Sequence, residues 1–238
     1  MIGSGKKLSW PGQAPEVIER LQGAKGEIQL QRRGSEYEII YNGVFLMATY
    51  NGASEKEAVR EALQIVSNRT AGPFKMLIGG LGVGYSLREA LAFAGVDYVK
   101  VAEIEPAVIR WNRFYFKEVN GSALADSRTR LTEGDFRNVL EEDASAIKKT
   151  GENRYHVIMV DTDNGSSWLS LPTNSYFYNT AGLQLIKSCL HTNGAACFWS
   201  SRREDDFGEK LDKIFRRVVF RTVMEKTGQE GCYYLAEN

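Results

Sequence analysis

The feature that most constrains this chain is a change of rhythm at Lys75. From there onward short apolar runs alternate with helix-length amphipathic segments. Met76-Leu77-Ile78 reads as a strand ending in glycines, 86–93 as a helix and 98–102 as a second strand. Pro106, a favourable first-turn residue, opens the next helix. A third strand over 128–131, a helix over 136–149 and the wholly apolar run Val157-Ile158-Met159-Val160 follow. A helix over 180–190 and a strand over 195–199 follow, and 206–216 leads into two closing strands near 218–225 and 232–235, joined through Gly228. A strand that is apolar throughout is buried on both faces. Strands alternating with helices imply a mainly parallel sheet with helices on both sides.

Before Lys75 the pattern differs. Ile28 and Leu30 alternate with polar residues, Arg33-Gly34-Ser35 suggests a turn, and Tyr37, Ile39 and Tyr41 resume the alternation. Asn42-Gly43 is a strong hairpin signal, and 44–50 supplies another strand. Residues 26–50 thus read as a small antiparallel unit. The stretch up to about Gly23 shows no clear periodicity and is expected to be partly ordered at best. Ser54, with Glu57 three residues on, looks like a capping box opening a helix to about Val66. The expected organisation is an N-terminal segment over 1–53 carrying the β unit and one α/β domain over 54–238. That domain is a Rossmann-like, doubly wound, mainly parallel seven-stranded sheet with a C-terminal antiparallel strand pair.

Composition narrows the function classes. Lys plus Arg and Asp plus Glu both total 30, so no net positive charge points to nucleic acid or a membrane surface. Arg32-Arg33, Arg202-Arg203 and Arg216-Arg217 read as solvated surface. Cys189, Cys197 and Cys232 are far apart and odd in number, which suggests buried thiols rather than disulfides or a zinc site. His156 and His191 sit in no ligand motif, so no metal is expected. Met1 to Trp10 lack the apolar core of a signal peptide, and no apolar run approaches spanning length. The expected location is the cytoplasm.

In a sheet of this kind ligands sit outside the carboxyl ends of the strands. The first such end carries Gly80-Leu81-Gly82-Val83-Gly84, where glycines let the backbone turn sharply and approach a ligand closely. Tyr85 stands where the dinucleotide fingerprint wants its third glycine, which favours a nucleoside without a pyrophosphate. Glu103 follows Gly84 by 19 residues, close to the spacing of a ribose-binding acid. Glu105 fits a solvated strand-end acid that favours the helix N-terminus. Gly134-Asp135 follows the third strand, where a carboxylate can accept from an adenine amine, although an isolated Asp there is more often a helix N-cap. The three features in this order mark a nucleoside site.

Asp161-Thr162-Asp163-Asn164-Gly165 follows the fourth strand and faces the same cleft. Two carboxylates this close suit binding of a cationic amine and removal of its proton. Asp161 is the candidate for orienting or deprotonating the amine; Asp163 and Asn164 are candidates for holding other ammonium groups. The same residues also make a good turn, with Asx side chains bonding their own backbone. Trp168 and Tyr176 are candidate walls of the acceptor pocket, with aromatic core as the plainer alternative.

With these residues the sequence resembles the spermidine synthase family, the polyamine aminopropyltransferases on a class I methyltransferase fold. The matching segments are Leu77-Ile78-Gly79-Gly80 with Leu87-Arg88-Glu89, Glu103 to Ile109, Gly134-Asp135, and Tyr155 to Asp161. The resemblance implies that Glu103 binds ribose, Asp135 adenine, and that Asp161 is the catalytic acid; it also implies a homodimer. Three departures stand out. The family's loop aspartate is replaced by Gly82 or Val83, its D-S-[ST]-D-P motif by Asp161-Thr162-Asp163-Asn164-Gly165, and its Tyr-His-Glu element by Ser54 to Ala58.

The leading expectation is an alkyl transferase using decarboxylated S-adenosylmethionine, or S-adenosylmethionine itself, as co-substrate. It would transfer an aminopropyl-type group to a polyamine-like amine and release methylthioadenosine. The alternatives are an S-adenosylmethionine-dependent methyltransferase and a non-catalytic relic or nucleoside-binding module.

Overall fold

Two sheets organise the chain in the computed structural model, which describes residues 14–24 and 26–238. The reading of Met1 to Trp10 lies outside the described residues. The first sheet is an antiparallel meander of β1 (Glu16–Gln22), β2 (Glu27–Arg33), β3 (Glu36–Tyr41) and β4 (Val44–Ala48). At its Asn42-Gly43 turn both residues have positive φ, 50° and 77°, the conformation this pair adopts readily.

β1 corrects the expectation for the stretch before Gly23. It shows no periodicity because it is an edge strand with no buried residue and a register shift between Val17 and Glu19. The half-buried Ile18 and Leu21 pack against the core, and polar contacts add to the hold. The Glu19 carboxylate accepts the Trp111 indole N–H at 2.9 Å and a further bond from Arg110.

The remaining elements are α1 (Ala53–Ser67), β5 (Phe74–Gly79), α2 (Tyr85–Ala92), β6 (Val96–Glu103), α3 (Pro106–Phe114), α4 (Lys117–Asn120) and β7 (Thr129–Glu133). They continue with α5 (Phe136–Thr150), β8 (Tyr155–Val160), α6 (Thr180–Cys189), β9 (Leu190–Ser200), α7 (Asp205–Ile214), β10 (Arg217–Met224) and β11 (Glu230–Glu237). The second sheet has seven strands in the order β10-β11-β9-β8-β5-β6-β7. Its pairs from β9 to β7 are parallel, and β11 runs antiparallel to both neighbours. This is the mainly parallel α/β sheet with a C-terminal antiparallel pair that the strand and helix rhythm implies.

Successive strand residues point to opposite faces, so each strand feeds two cores. Met76 and Ile78, Val157 and Met159, and Tyr233 and Leu235 pack on one side with α1, α2, α3 and the N-terminal sheet. Leu77, Ile158, Val160, Phe198 and Tyr234 pack on the other with α5, α6 and α7. All three cysteines are free and buried in the structure.

The start of α1 departs from the expected capping box. The N-cap is Gly52, and Ser54 is fully buried inside the first turn. The cap comes from across the chain: Glu225, just after β10, accepts the backbone N–H groups of Gly52, Ala53 and Ser54, each at 2.9 Å. A carboxylate there satisfies orphan donors and complements the helix dipole. Nothing local in the sequence announces it.

Candidate active site

Five neighbouring strands end at one level. Register pairs Gly79 with Ala102 and with Val160, Glu103 with Glu133, and Val160 with Phe198. The residues that follow line a cavity of about 680 Å³: Gly80, Gly134, Asp161 and Ser201, with Glu103 at the end of its own strand. The opposite wall is apolar and comes from the N-terminal sheet through Ile28, Ile39, Tyr41 and residues 44–47. The small sheet therefore covers the site, a role its sequence gives no sign of.

Gly80, Gly82 and Gly84 all have positive φ, at 93°, 51° and 91°. At Gly80 a Cβ would lie 2.1 Å from the Asp161 carbonyl oxygen, so this loop and the loop after β8 touch backbone to backbone. Gly80 and Gly82 line the cavity, whereas Gly84 is the N-cap of α2 and faces Asn112 and Asn120. Asn112, buried on α3, donates to the Gly82 carbonyl at 2.7 Å and fixes the loop from behind. A lone polar residue on the buried face of an amphipathic helix is the sequence signal for such a support.

Glu103 is buried, and its two oxygens accept the N–H groups of Leu81 and Glu105, each at 2.8 Å. Burial pushes its carboxyl above the ordinary range against these bonds. Each oxygen keeps a second lone-pair site for a ribose hydroxyl. Asp135 is the N-cap of α5, accepting from Arg137 N at 2.9 Å, and also lines the cavity beside Gly134 and Phe136. Its two sequence readings therefore meet in one residue. Glu105 departs from the solvated reading. It is 4% exposed and accepts from Ala24 N and from the Tyr41 hydroxyl at 2.9 Å, which ties the N-terminal sheet to α3.

The loop after β8 separates its two aspartates. Asp161 lines the cavity and has, among the described residues, one side-chain partner, the Ser86 hydroxyl at 3.4 Å. Burial pushes its carboxyl well above the carboxylate range, and the charges of Glu55, Asp163 and Glu103 add to the shift. A carboxylate desolvated in this way is a stronger base than one in water. Asp163 also lines the cavity, yet protein donors occupy it. Its Oδ1 accepts from Ser170 N at 2.7 Å, Ser170 Oγ at 2.8 Å and Asn174 Nδ2 at 3.0 Å; its Oδ2 accepts from Thr162 Oγ1 at 2.9 Å. Asn164 and the half-exposed Trp168 lie on the same wall.

Tyr176 stands apart from the cavity lining, and this corrects its candidacy as an acceptor wall. Its ring lies 4.0 Å beneath the Arg137 guanidinium, in the 3-10 stretch Pro172–Tyr178, where it packs against Phe177. Ser54 and Glu55, at the place of the family's Tyr-His-Glu element, line the cavity, as do Asn51, Trp199 and Glu225, which sequence reading passed over. Among the described residues no cluster of metal-ligating side chains occurs, and no helix is long and apolar enough to cross a membrane.

No protein-family model matches the chain. Over 103 residues it is 29% identical to a polyamine aminopropyltransferase of Prochlorococcus marinus strain MIT 9301, a match covering 43% of this chain and 34% of that protein. It is 35% identical over 124 residues to a polyamine aminopropyltransferase of Sulfolobus acidocaldarius, covering 51% of this chain and 37% of that one. The matches thus span about a third of the length of these relatives. A solved spermidine synthase in complex with the transition-state analogue AdoDATO superposes with a TM-score of 0.71 at 19% identity, over 93% of this chain and 72% of that one. That likeness is one of fold.

Proposed function

We propose that this spermidine-synthase-like protein is an alkyl transferase that moves an aminopropyl-type group to a small polyamine-like amine. The donor is decarboxylated S-adenosylmethionine, or S-adenosylmethionine itself, and the product nucleoside is methylthioadenosine. The observation that carries the reading is Asp161: a desolvated carboxylate whose one side-chain partner among the described residues is the distant Ser86 hydroxyl, on the cavity wall against Gly80. An ammonium group must lose a proton before its nitrogen can attack the carbon beside a sulfonium. Asp161 is placed to take that proton, since a raised carboxyl is closer in basicity to the amine it serves. The neutral amine then forms the C–N bond as the C–S bond breaks, and a neutral thioether departs. Glu103 and Asp135 hold ribose and adenine, and the apolar wall from the N-terminal sheet excludes water.

One observation favours methyl transfer as a second reading. Where the family carries a loop aspartate for the donor's amine, this chain has Gly82 and Val83, which face the Met47 sulfur. One assay separates the two: incubation with both donors and a panel of amines, followed by mass spectrometry of the nucleoside product. Methylthioadenosine with an enlarged amine is the expected outcome. S-adenosylhomocysteine alone would overturn the alkyl-transfer reading in favour of methyl transfer. No calorimetric heat with any S-adenosyl nucleoside would defeat both and leave a non-catalytic relic of the fold.

A further inference from the structure

Ser54 Oγ lies 2.7 Å from Glu225 Oε1 and 2.7 Å from Glu55 Oε2, and accepts the Trp199 indole N–H at 2.8 Å. A serine hydroxyl has one proton and two lone-pair sites. It can donate to one of these carboxyl groups only. The second oxygen–oxygen contact, equally short, needs a proton from the carboxyl side. All three residues are buried, with Ser54 at 0%, Glu55 at 4% and Glu225 at 7% exposure, so bulk water does not relieve the conflict.

The two carboxyl groups are not equivalent. Glu225 accepts three backbone N–H groups at the N-terminus of α1, a place that favours negative charge. Burial works against its ionisation, but these bonds prevail and hold it below its ordinary range. Glu55 lines the cavity, and its one recorded side-chain hydrogen bond among the described residues is the bond to Ser54. The extra proton therefore belongs to Glu55, with Ser54 donating onward to Glu225.

We propose that, at mildly acid pH, Glu55 carries a proton in the ligand-free protein and surrenders it when an ammonium group of the acceptor docks beside it. Glu55 is then an acceptor-positioning residue, and amine binding is coupled to proton release. This deepens the amine-transfer reading and rests on it. The balance is simple: a Glu55 carboxylic acid and an alkylammonium become a carboxylate–alkylammonium pair, and one proton passes to solvent.

The charged surroundings fit. Glu55 faces Glu225 beyond β10, Asp161 beyond β8, and Lys56 on its own helix, whose Nζ lies 4.0 Å over the Tyr85 ring of α2. Burial pushes Glu55 up to about 6; the Ser54 bond opposes this and the charge of Glu225 adds to it. Glu55 is also the leading charge acting on Asp161. Its ionisation beside a docked amine would therefore strengthen Asp161 as a base.

Two measurements test the proposal. Infrared difference spectra of ligand-free protein at mildly acid pH, wild type against Glu55→Gln, should show a protonated-carboxyl C=O band that the variant lacks. The same band in Ser54→Ala should shift, because its acceptor is gone. Absence of any Glu55-dependent band overturns the proton assignment. Calorimetry at the same mildly acid pH, with putrescine in the presence of methylthioadenosine and in buffers of low and high ionisation enthalpy, should show proton release by wild type. Glu55→Gln, isosteric and unable to ionise, should bind about tenfold more weakly and release none. Equal release by the variant overturns the coupling. Failure of any diamine to bind wild type defeats the amine reading and the docking role together, while the infrared band still decides where the proton sits.

Discussion

The Glu103 carboxylate, at the end of β6, accepts the Leu81 N–H at 2.8 Å across the glycine turn. The residue suited to hold a ribose thus also shapes the loop that approaches it, since an unmet N–H there would unsettle the turn. Glu103→Ala should weaken methylthioadenosine binding by about 1–3 kcal/mol and lower the melting temperature as well. Titration calorimetry and thermal unfolding read both effects. Unchanged affinity would remove Glu103 from the nucleoside site.

Glu55 makes stability depend on pH in a defined direction. A carboxyl raised to about 6 from its ordinary 4.5 favours the folded state fully below 4.5. That contribution is lost as pH rises through the folded value, because ionisation then costs more in the folded protein than in the unfolded chain. Glu55→Gln cannot ionise and escapes the loss. Wild type should therefore fall by about 1–2 kcal/mol relative to Glu55→Gln between pH 4.5 and neutrality, as measured by denaturant unfolding at each pH. A constant difference between the two proteins would refute it.

Gly80 and Gly82 should respond differently to alanine. At Gly80 the added Cβ meets the Asp161 carbonyl oxygen at 2.1 Å, a backbone atom that can move only with its loop. At Gly82 it meets the Met47 sulfur at 2.4 Å, the end of a flexible side chain. Both sites have positive φ and share that strain. Gly82→Ala should cost about 1 kcal/mol, and Gly80→Ala several times more with loss of nucleoside binding. Thermal unfolding of the two variants decides, and equal losses would contradict the contact argument.

The sequence carried the fold where period and burial coincide. The apolar runs of β5 and β8 could only be central strands, and Glu103, Gly134 and Asp161 follow strand ends whatever the tertiary detail. It failed where one element completes another at long range. Glu225 caps a helix 171 residues away, and no local pattern distinguishes it from any acid near a turn. β1 went unseen because an edge strand half exposed on both faces has no alternation to show. Glu105 looked solvated because its partners come from the N-terminal unit, Ala24 N in the turn between β1 and β2 and Tyr41 in β3. Tyr176 sits in an aromatic run whose direction only the 3-10 turn decides.

The loop after β8 gives the sharpest contrast between two like residues. Asp163 accepts from Ser170, Asn174 and Thr162, so replacing one oxygen by an amide sets N–H against N–H in a buried place. Asp163→Asn should lower stability by about 1–3 kcal/mol and weaken nucleoside and amine binding together, because the loop that abuts Gly80 loses its brace. Among the described residues Asp161 has only the long Ser86 contact to lose, and burial already disfavours its charge. Asp161→Asn should therefore keep or slightly raise the melting temperature at neutral pH, leave methylthioadenosine affinity nearly intact and abolish turnover. Thermal unfolding, calorimetry and the nucleoside-product assay on both variants separate a brace from a base. If Asp161→Asn loses affinity as Asp163→Asn does, Asp161 too is structural, and the proton acceptor must be sought among the other carboxylates of the cavity, Glu55 first.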